Sequence, residues 1–404
     1  MRRRVAVTGV GVVCGAGANA TQTWEALRTG RSAIAELQQE WAREGKCRVA
    51  AAATSFDPLK FFEAREAASM DRFAQFALAA CSEAIIQSGL NFSDELKPRT
   101  AVVMGTSGGG QGSIDDGFVE LYLKRTGRVH PLTIPKTMSN AGTSHITMKY
   151  GLSGPAWTVS TACASATHAI GQAFWMVRDG LVEAALAGGS EAPLNPGFWR
   201  AWEAMRVMAP DTCRPFSRDR RGLVLGEGGA VLVLEPLDHA LERGAPILAE
   251  IRGFGMSADA HHLTQPSPEG AAAAMSMALR DAELRAEEIG YVNAHGTGTQ
   301  ANDACESKAL TLTLGEYGRR VPVSSTKSMH GHALGAAGAL EAFATVTALH
   351  KKEIPPTANV TELDPACEIN LITAPTAAPA LRAALSNSFA FGGLNAVLAF
   401  SSLS

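Results

Sequence analysis

Trp157-Thr-Val-Ser-Thr-Ala-Cys163-Ala-Ser-Ala-Thr-His168 is the stretch on which the reading of this chain turns. Its first half is β-branched and strand-like, and Ala164–Arg178 after it is rich in small and helix-forming residues. Cys163 therefore falls at a strand-to-helix turn, beside free backbone N–H groups and the positive end of a helix dipole. That setting favours the thiolate and predicts a lowered thiol pKa. Taken alone, Cys163 reads equally well as a buried core thiol. Two later segments supply partners: Asn293-Ala-His295-Gly-Thr-Gly-Thr299 and Ser324-Ser-Thr-Lys327-Ser-Met-His330-Gly-His332. One activated cysteine with two glycine-flanked histidines points to covalent acyl chemistry rather than a binding module.

Around this turn, short apolar strands alternate with amphipathic or Ala-rich helices. Strands are predicted at Val5–Val12, Thr100–Gly105, Ala184–Gly189, Val224–Leu234, Ile247–Phe254, Ile289–Ala294, Val321–Ser325, Ala384–Ser388 and Ala396–Phe400. Helices are predicted at Thr21–Arg28, Asp71–Ser88, Ala164–Asp179, Gly270–Ala282, Asp303–Leu314 and Ala333–His350. The alternation indicates an α/β fold with largely parallel, buried sheets. A strand–helix–strand pattern near the N-terminus is echoed from Ile289 onward, so two related halves are expected, residues 1–250 and 251–404. The Gly-rich and Pro-containing region from about 106 to 150 reads as an insertion.

The bulk properties exclude several classes. The chain has 404 residues and a formal net charge of −3, which gives no support for nucleic-acid or membrane-surface binding. Its seven cysteines are scattered singly, with no Cys-x-x-Cys, which argues against a disulfide framework and for a reducing cytoplasm. Met1-Arg-Arg-Arg runs straight into a strand and lacks the apolar region of a signal peptide. No stretch has the length of a membrane span, and a soluble protein is expected.

Among the chemistry-bearing residues, His295 lies in a Gly-Thr-Gly-Thr turn where backbone can approach a ligand closely, and Thr297 and Thr299 offer hydroxyls suited to a polar tether. His330-Gly-His332 opens a helix, whose dipole favours neutral imidazoles able to donate to an oxyanion. Glu341 stands fourteen residues after Lys327 and could pair with it; otherwise Lys327 is a solvated surface lysine. His330-x-His332 with His261-His262 could chelate zinc, yet no Cys or carboxylate lies at the usual spacing, and no metal is expected. The Gly-rich pieces fit neither a G-x-G-x-x-G fingerprint nor a Walker loop, which argues against nucleotide binding. Arg218, Arg220 and Arg221 read as a solvated face or internal ion pairs.

Assembled, four ordered motifs over essentially the whole chain resemble the elongating β-ketoacyl-acyl-carrier-protein synthases of the thiolase superfamily. They are Thr161-Ala-Cys163-Ala-Ser, Asn293–Thr299, Ser324–Gly338 and Asn387-Ser-Phe389-Ala-Phe391-Gly-Gly393. The Trp202–Phe216 stretch and Met329–His332 resemble the nodulation ketosynthases, and some polyene-forming synthases are also similar. The resemblance implies a five-layered αβαβα sandwich and a homodimer, with a heterodimer containing a chain-length subunit as the alternative. It implies that Cys163 accepts an acyl chain from acyl carrier protein, and that His295 and His332 stabilise the enolate left when malonyl-carrier protein loses CO₂. His295 could also activate water for the departing carboxyl. Lys327, tied to Glu341, would hold the charge pattern. Backbone N–H groups of Cys163 and Phe391 would form an oxyanion hole, and Phe391 with Phe389 would gate entry. Thr297 and Thr299 would hold the phosphopantetheine arm, and Arg65, Arg128 and Arg206 would meet the acidic carrier. No cofactor beyond that arm is implied.

Three departures from the family pattern stand out. Ala390 replaces the usual glycine between the gate phenylalanines and is expected to stiffen the gate, Leu394 replaces a threonine, and Ala68 and Ser69 stand where docking cations are common. A thiolase would need a second cysteine in the C-terminal turn, and none follows Cys367. Starter-type synthases use Cys-His-Asn, whereas this chain offers His332. A non-catalytic chain-length subunit would lack the nucleophile that Cys163 supplies, and nothing suggests the peptide groove of a cysteine protease.

Overall fold

The computed structural model describes residues 2–403. Eleven strands join in one sheet: β1 (Val5–Cys14), β2 (Thr100–Gly105), β3 (Ala156–Val159), β4 (Ala184–Glu191), β5 (Gly228–Pro236), β6 (Ala249–Ala258), β7 (Ile289–Asn293), β8 (Pro322–Ser324), β9 (Asn370–Leu371), β10 (Ala383–Ala390) and β11 (Leu394–Ser401). Their spatial order is β9-β8-β7-β10-β11-β6-β1-β5-β4-β2-β3. Read outward from the β1/β6 seam, and leaving aside the two-residue edge strand β9, each side visits its strands in the same sequence: first, fifth, fourth, second, third. The seam itself is short, with Val5, Ala6 and Val7 opposite Ile251, Glu250 and Ala249.

The expectation of largely parallel strands is corrected. The five neighbour pairs from β10 across to β4 are antiparallel, and only the flanks are parallel. The cause lies in two returns between strands that are consecutive in this sheet's chain order and adjacent within it. The three-residue turn 391–393 sends β11 back along β10, and β5 enters antiparallel between β4 and β1. Strands buried on both faces carry continuous apolar runs whichever way they point, so periodicity could not separate the cases. The predicted strand at Val224–Leu234 also begins later, at Gly228, because residues 224–226 run beside His332 instead.

Six helices matter for the site: α1 (Arg72–Ser88), α2 (Ser165–Arg178), α3 (Pro196–Ala204), α4 (Pro268–Ala282), α5 (Gln300–Leu314) and α6 (Ala337–Lys351). α1 covers β1, β5 and β4, while α4 covers β6 and β11 from the opposite outer side with α5 against it. Between the two sheet halves lie α2 and α6, packed on each other and on strands of both. The layers therefore run helix, sheet, helix, sheet, helix, the expected αβαβα sandwich. Two glycines permit the dry centre: a Cβ on Gly171 would overlap the Phe254 ring, and one on Gly338 would overlap Thr167 Oγ1. Burial of the central cluster, which spans Val5 to Phe400 and includes Cys163, makes this layer the mechanical base of the site.

Candidate active site

Cys163 sits one residue beyond Ala162, whose φ of 48° is a left-handed conformation that a residue with a Cβ seldom adopts. Ser165 makes the turn affordable: its Oγ accepts from Thr161 N at 2.9 Å and donates to Ala162 O at 2.6 Å. α2 then starts at Ser165, so the predicted strand–turn–helix setting is present. The predicted acidic thiol is not. Burial pushes the Cys163 thiol up to about 11, against the pull of Lys327 and of the backbone N–H groups of Phe391 and Cys163 that face the sulfur. Desolvation of the anion outweighs the dipole and the donors.

The two histidines arrive from the other half of the chain. His332 Nε2 lies 3.2 Å from Cys163 Sγ, and the His295 and His332 rings meet edge to face with centroids 5.5 Å apart. One ligand-type atom from each of Cys163, His295 and His332 falls within 4.8 Å of the others. Both imidazoles are held well below their ordinary pKa, first by burial and then by Lys327, with the neighbouring histidines contributing. A neutral imidazole at His332 is expected from the helix dipole; the cause at both rings is desolvation and a nearby cation instead.

Lys327 is wholly buried, so the solvated-surface alternative is excluded. Its ammonium donates to His295 O at 2.6 Å, lies 3.2 Å from His295 Nδ1, and pairs with Glu341. A donor facing Nδ1 leaves that nitrogen as acceptor and puts the His295 proton on Nε2. Glu341, buried beside Lys327, has its carboxyl raised to about 7 by desolvation. The zinc pairing considered for His330 does not form. Its Nε2 bonds Thr326 Oγ1 at 2.9 Å and its Nδ1 faces Gly331 O at 2.9 Å, while His261 and His262 lie on an exposed loop.

The cavity above the sulfur is lined by Cys163, His295, His332, Thr297, Thr299, Phe389 and Phe391, together with Trp202 and residues 262–266. Thr297 and Thr299 bond each other through their hydroxyls at 2.9 Å, and Thr299 also caps α5 by accepting from Asn302 N at 3.3 Å. Ala390 is the last residue of β10, paired with Leu394, so its backbone is extended in this closed turn. Arg65, Arg128 and Arg206 are all exposed and make no ion pair among the described residues. Arg220, by contrast, is buried between Asp303 and Asp364, the internal-pair alternative.

Several positioning residues escaped the sequence reading. Glu306 accepts from the backbone N–H groups of His295 and Gly296, each at 2.8 Å, and Asn387 Nδ2 donates to it at 3.1 Å. Asp303, one turn earlier on α5, accepts from Gly298 N at 3.2 Å. Two acids spaced i, i+3 just after the Gly-Thr-Gly-Thr turn were the available signal, since that spacing puts both on the face turned to the loop. Asn293, Ser386 and Asn387 also carry buried oxygens with no hydrogen-bond partner among the described residues, as does Glu341 Oε2. They are oxygen donors of the kind that ordered water or a hard cation takes.

This constellation, in this fold, is that of a condensing enzyme. The N-terminal domain model of the β-ketoacyl synthases matches residues 2–240 and the C-terminal one residues 248–361. The chain belongs to the β-ketoacyl synthase family. It is 44% identical over 402 residues to nodulation protein E of Rhizobium leguminosarum bv. trifolii, covering 99% of each chain. It is 39% identical over 408 residues to 3-oxoacyl-[acyl-carrier-protein] synthase 2 of Vibrio harveyi, covering 99% of this chain and 98% of that one. Among solved structures, the ishigamide ketosynthase/chain length factor aligns over 100% of both chains with a TM-score of 0.93 and 35% identity.

Proposed function

We propose that this chain catalyses decarboxylative condensation of an acyl group, held as a thioester on Cys163, with malonyl-acyl carrier protein. The product is a 3-ketoacyl-acyl carrier protein two carbons longer, in fatty-acid or polyketide-type synthesis. The observation that carries this reading is the meeting of His332 Nε2 and His295 at one buried sulfur.

The steps follow from the geometry. Cys163 Sγ attacks the acyl thioester and the carrier thiol leaves with the proton. The anionic tetrahedral oxygen is met by the N–H groups of Phe391 and Cys163, which face the sulfur. Malonyl-carrier protein then enters along Thr297 and Thr299. Loss of CO₂ leaves an enolate, which needs donors that carry no charge to lose: His295 presents Nε2–H because Lys327 occupies the other face. His332 can donate from Nε2 as well, its Nδ1 having no partner among the described residues. The enolate carbon attacks the Cys163 thioester, the C–S bond breaks, and the released thiolate takes up a proton.

Further parts of the reading rest on the same frame. The division at residue 250 is supported by the repeated strand order on either side of the β1/β6 seam. Acyl carrier protein is the partner that the names of relatives imply, with Arg65, Arg128 and Arg206 as docking cations. Arg128 lies in the 106–150 region, and Lys136 Nζ of that region bonds Ala68 O, three residues beyond Arg65. A dimer is supported by the open outer edge of β3 and by exposed Phe118, Tyr122, Leu123 and Ile134. The second subunit is a copy of this chain or a chain-length-factor-like subunit, as in the ishigamide pair. Seven free, buried cysteines suit a reducing cytoplasm, and among the described residues no helix is long and apolar enough to cross a membrane.

The test is direct. Acyl-carrier proteins of graded chain length are incubated with the protein, and mass added at Cys163 is measured. Malonyl-carrier protein is then supplied and the 3-ketoacyl product sought. Cys163→Ala should abolish transfer and condensation while sparing malonyl decarboxylation, and His295→Ala or His332→Ala should cut decarboxylation even where acylation persists. Unchanged decarboxylation in both histidine variants would refute their roles.

A further inference from the structure

The Trp202 indole stacks on the Phe391 ring, centroids 6.0 Å apart and planes inclined by 19°. Both rings line the cavity that holds Cys163. The two partners are anchored very differently. Phe391 sits in a three-residue turn with Gly392 and Gly393, whose φ values of 85° and 71° are open to glycine. Outside β10 and β11 the turn is held by backbone bonds to the 259–263 segment, Gly392 N donating to Leu263 O at 2.7 Å and Asp259 N to Gly393 O at 2.8 Å. Trp202 rides on α3, which is pinned at several points. Gly197 N donates to Asp115 Oδ2 at 2.7 Å, Asn195 Oδ1 caps Phe198 N at 3.3 Å, and Glu203 accepts from Lys46 N at 2.6 Å and Cys47 N at 3.0 Å. One turn before Trp202, the fully buried Trp199 meets Trp41 edge to face at 5.7 Å. The helix ends at Ala204, and Arg206 follows with φ of 56° and an exposed guanidinium.

We propose that Trp202 is the latch of the Phe391 gate, a positioning residue that holds the ring closed over Cys163 and ties the gate to the Arg206 end of α3. The inference rests on the reading of Phe391 as a gate. A ring fixed on a pinned helix biases one carried by a glycine turn whose outside anchors are backbone bonds to a single neighbouring segment. Offset-stacked aromatic pairs of this geometry shift such an equilibrium by about two- to twelvefold. The cation assigned to carrier docking follows the same short helix by two residues, so a carrier drawn onto Arg206 acts beside the element that holds the latch.

The experiment measures the initial rate of Cys163 alkylation by iodoacetamide, a small probe, by mass spectrometry at two pH values. An unchanged ratio between the two assigns a rate change to access rather than to thiolate fraction. The proteins are wild type, Trp202→Leu, Trp202→Phe, Phe391→Ala and the Trp202→Leu/Phe391→Ala pair. Trp202→Leu keeps bulk but loses the stack, and should speed alkylation about two- to twelvefold. Trp202→Phe should restore the wild-type rate, and the double variant should match Phe391→Ala alone. A purely structural Trp202 would instead add its effect in the double variant, which overturns the proposal. So does an unchanged rate in Trp202→Leu beside a faster Phe391→Ala. An unchanged rate in Phe391→Ala removes the gate itself, and the latch with it.

Discussion

Replacing Lys327 with methionine separates stability from chemistry at this site. The side chain is wholly buried, paired with Glu341 and in contact with both Nδ1 and O of His295. Removing one partner of a buried ion pair costs about 3–5 kcal/mol. Glu341 already sits near neutrality at about 7, and without the ammonium it takes up a proton, which keeps the loss near the low end. At about 2.1 cal/mol/K per residue, a chain this long loses about 0.8 kcal/mol per degree, so a cost of about 3 kcal/mol lowers Tm by about 4 °C. Lys327→Met/Glu341→Leu replaces the pair by apolar volume and should regain most of that loss. Catalysis should not recover, because His295 Nδ1 still lacks its donor and the proton no longer has to sit on Nε2. Decarboxylation of malonyl-carrier protein should fall about 10²–10³-fold in both variants, the range for losing one oxyanion donor. Thermal melts and CO₂ release on the same preparations decide the matter. Recovery of decarboxylation together with Tm in the double variant would refute the tautomer argument and leave Lys327 a purely structural role.

Three further outcomes follow. With its thiol near 11, Cys163 should alkylate about tenfold faster for each pH unit between 7 and 10, because only the thiolate reacts and its fraction grows with pH; a plateau below pH 8 would contradict the buried-thiol argument. Glu306→Gln should cut decarboxylation about 10- to 100-fold while Cys163 acylation persists, since one amide oxygen cannot serve two N–H groups as the carboxylate does; equal loss of both steps would point to collapse of the turn instead. Gly338→Ala should cost about 1–3 kcal/mol, read as a lower Tm, because its Cβ meets Thr167 Oγ1 at the α2–α6 contact.

Much of the fold was readable along the chain because α/β units write their identity locally. The apolar run Thr100–Gly105 and the capped helix ending at Ser88 and Gly89 carry their own boundaries. Strand direction was not readable. A strand covered on both faces looks the same whichever way it runs, and the antiparallel centre depends on how the turn at 391–393 folds back and on where β5 inserts. Residues 224–226 show the same limit: an apolar run pairs with His332 across the site rather than with a sheet neighbour.

The amino-acid order alone named which residue types could meet: a sulfur at a strand–helix turn, two histidines among glycines, and, as one of two readings, a lysine with a glutamate fourteen residues on. These are properties of short segments, and short segments are legible. Ionisation was a different matter. The dipole that argues for a thiolate is a local feature, but the cost of removing a charge from water comes from everything packed around it. Only the closed central layer, built from strands and helices more than a hundred residues apart, decided that Cys163 stays protonated, that His295 is neutral along with His332, and that Lys327 faces inward.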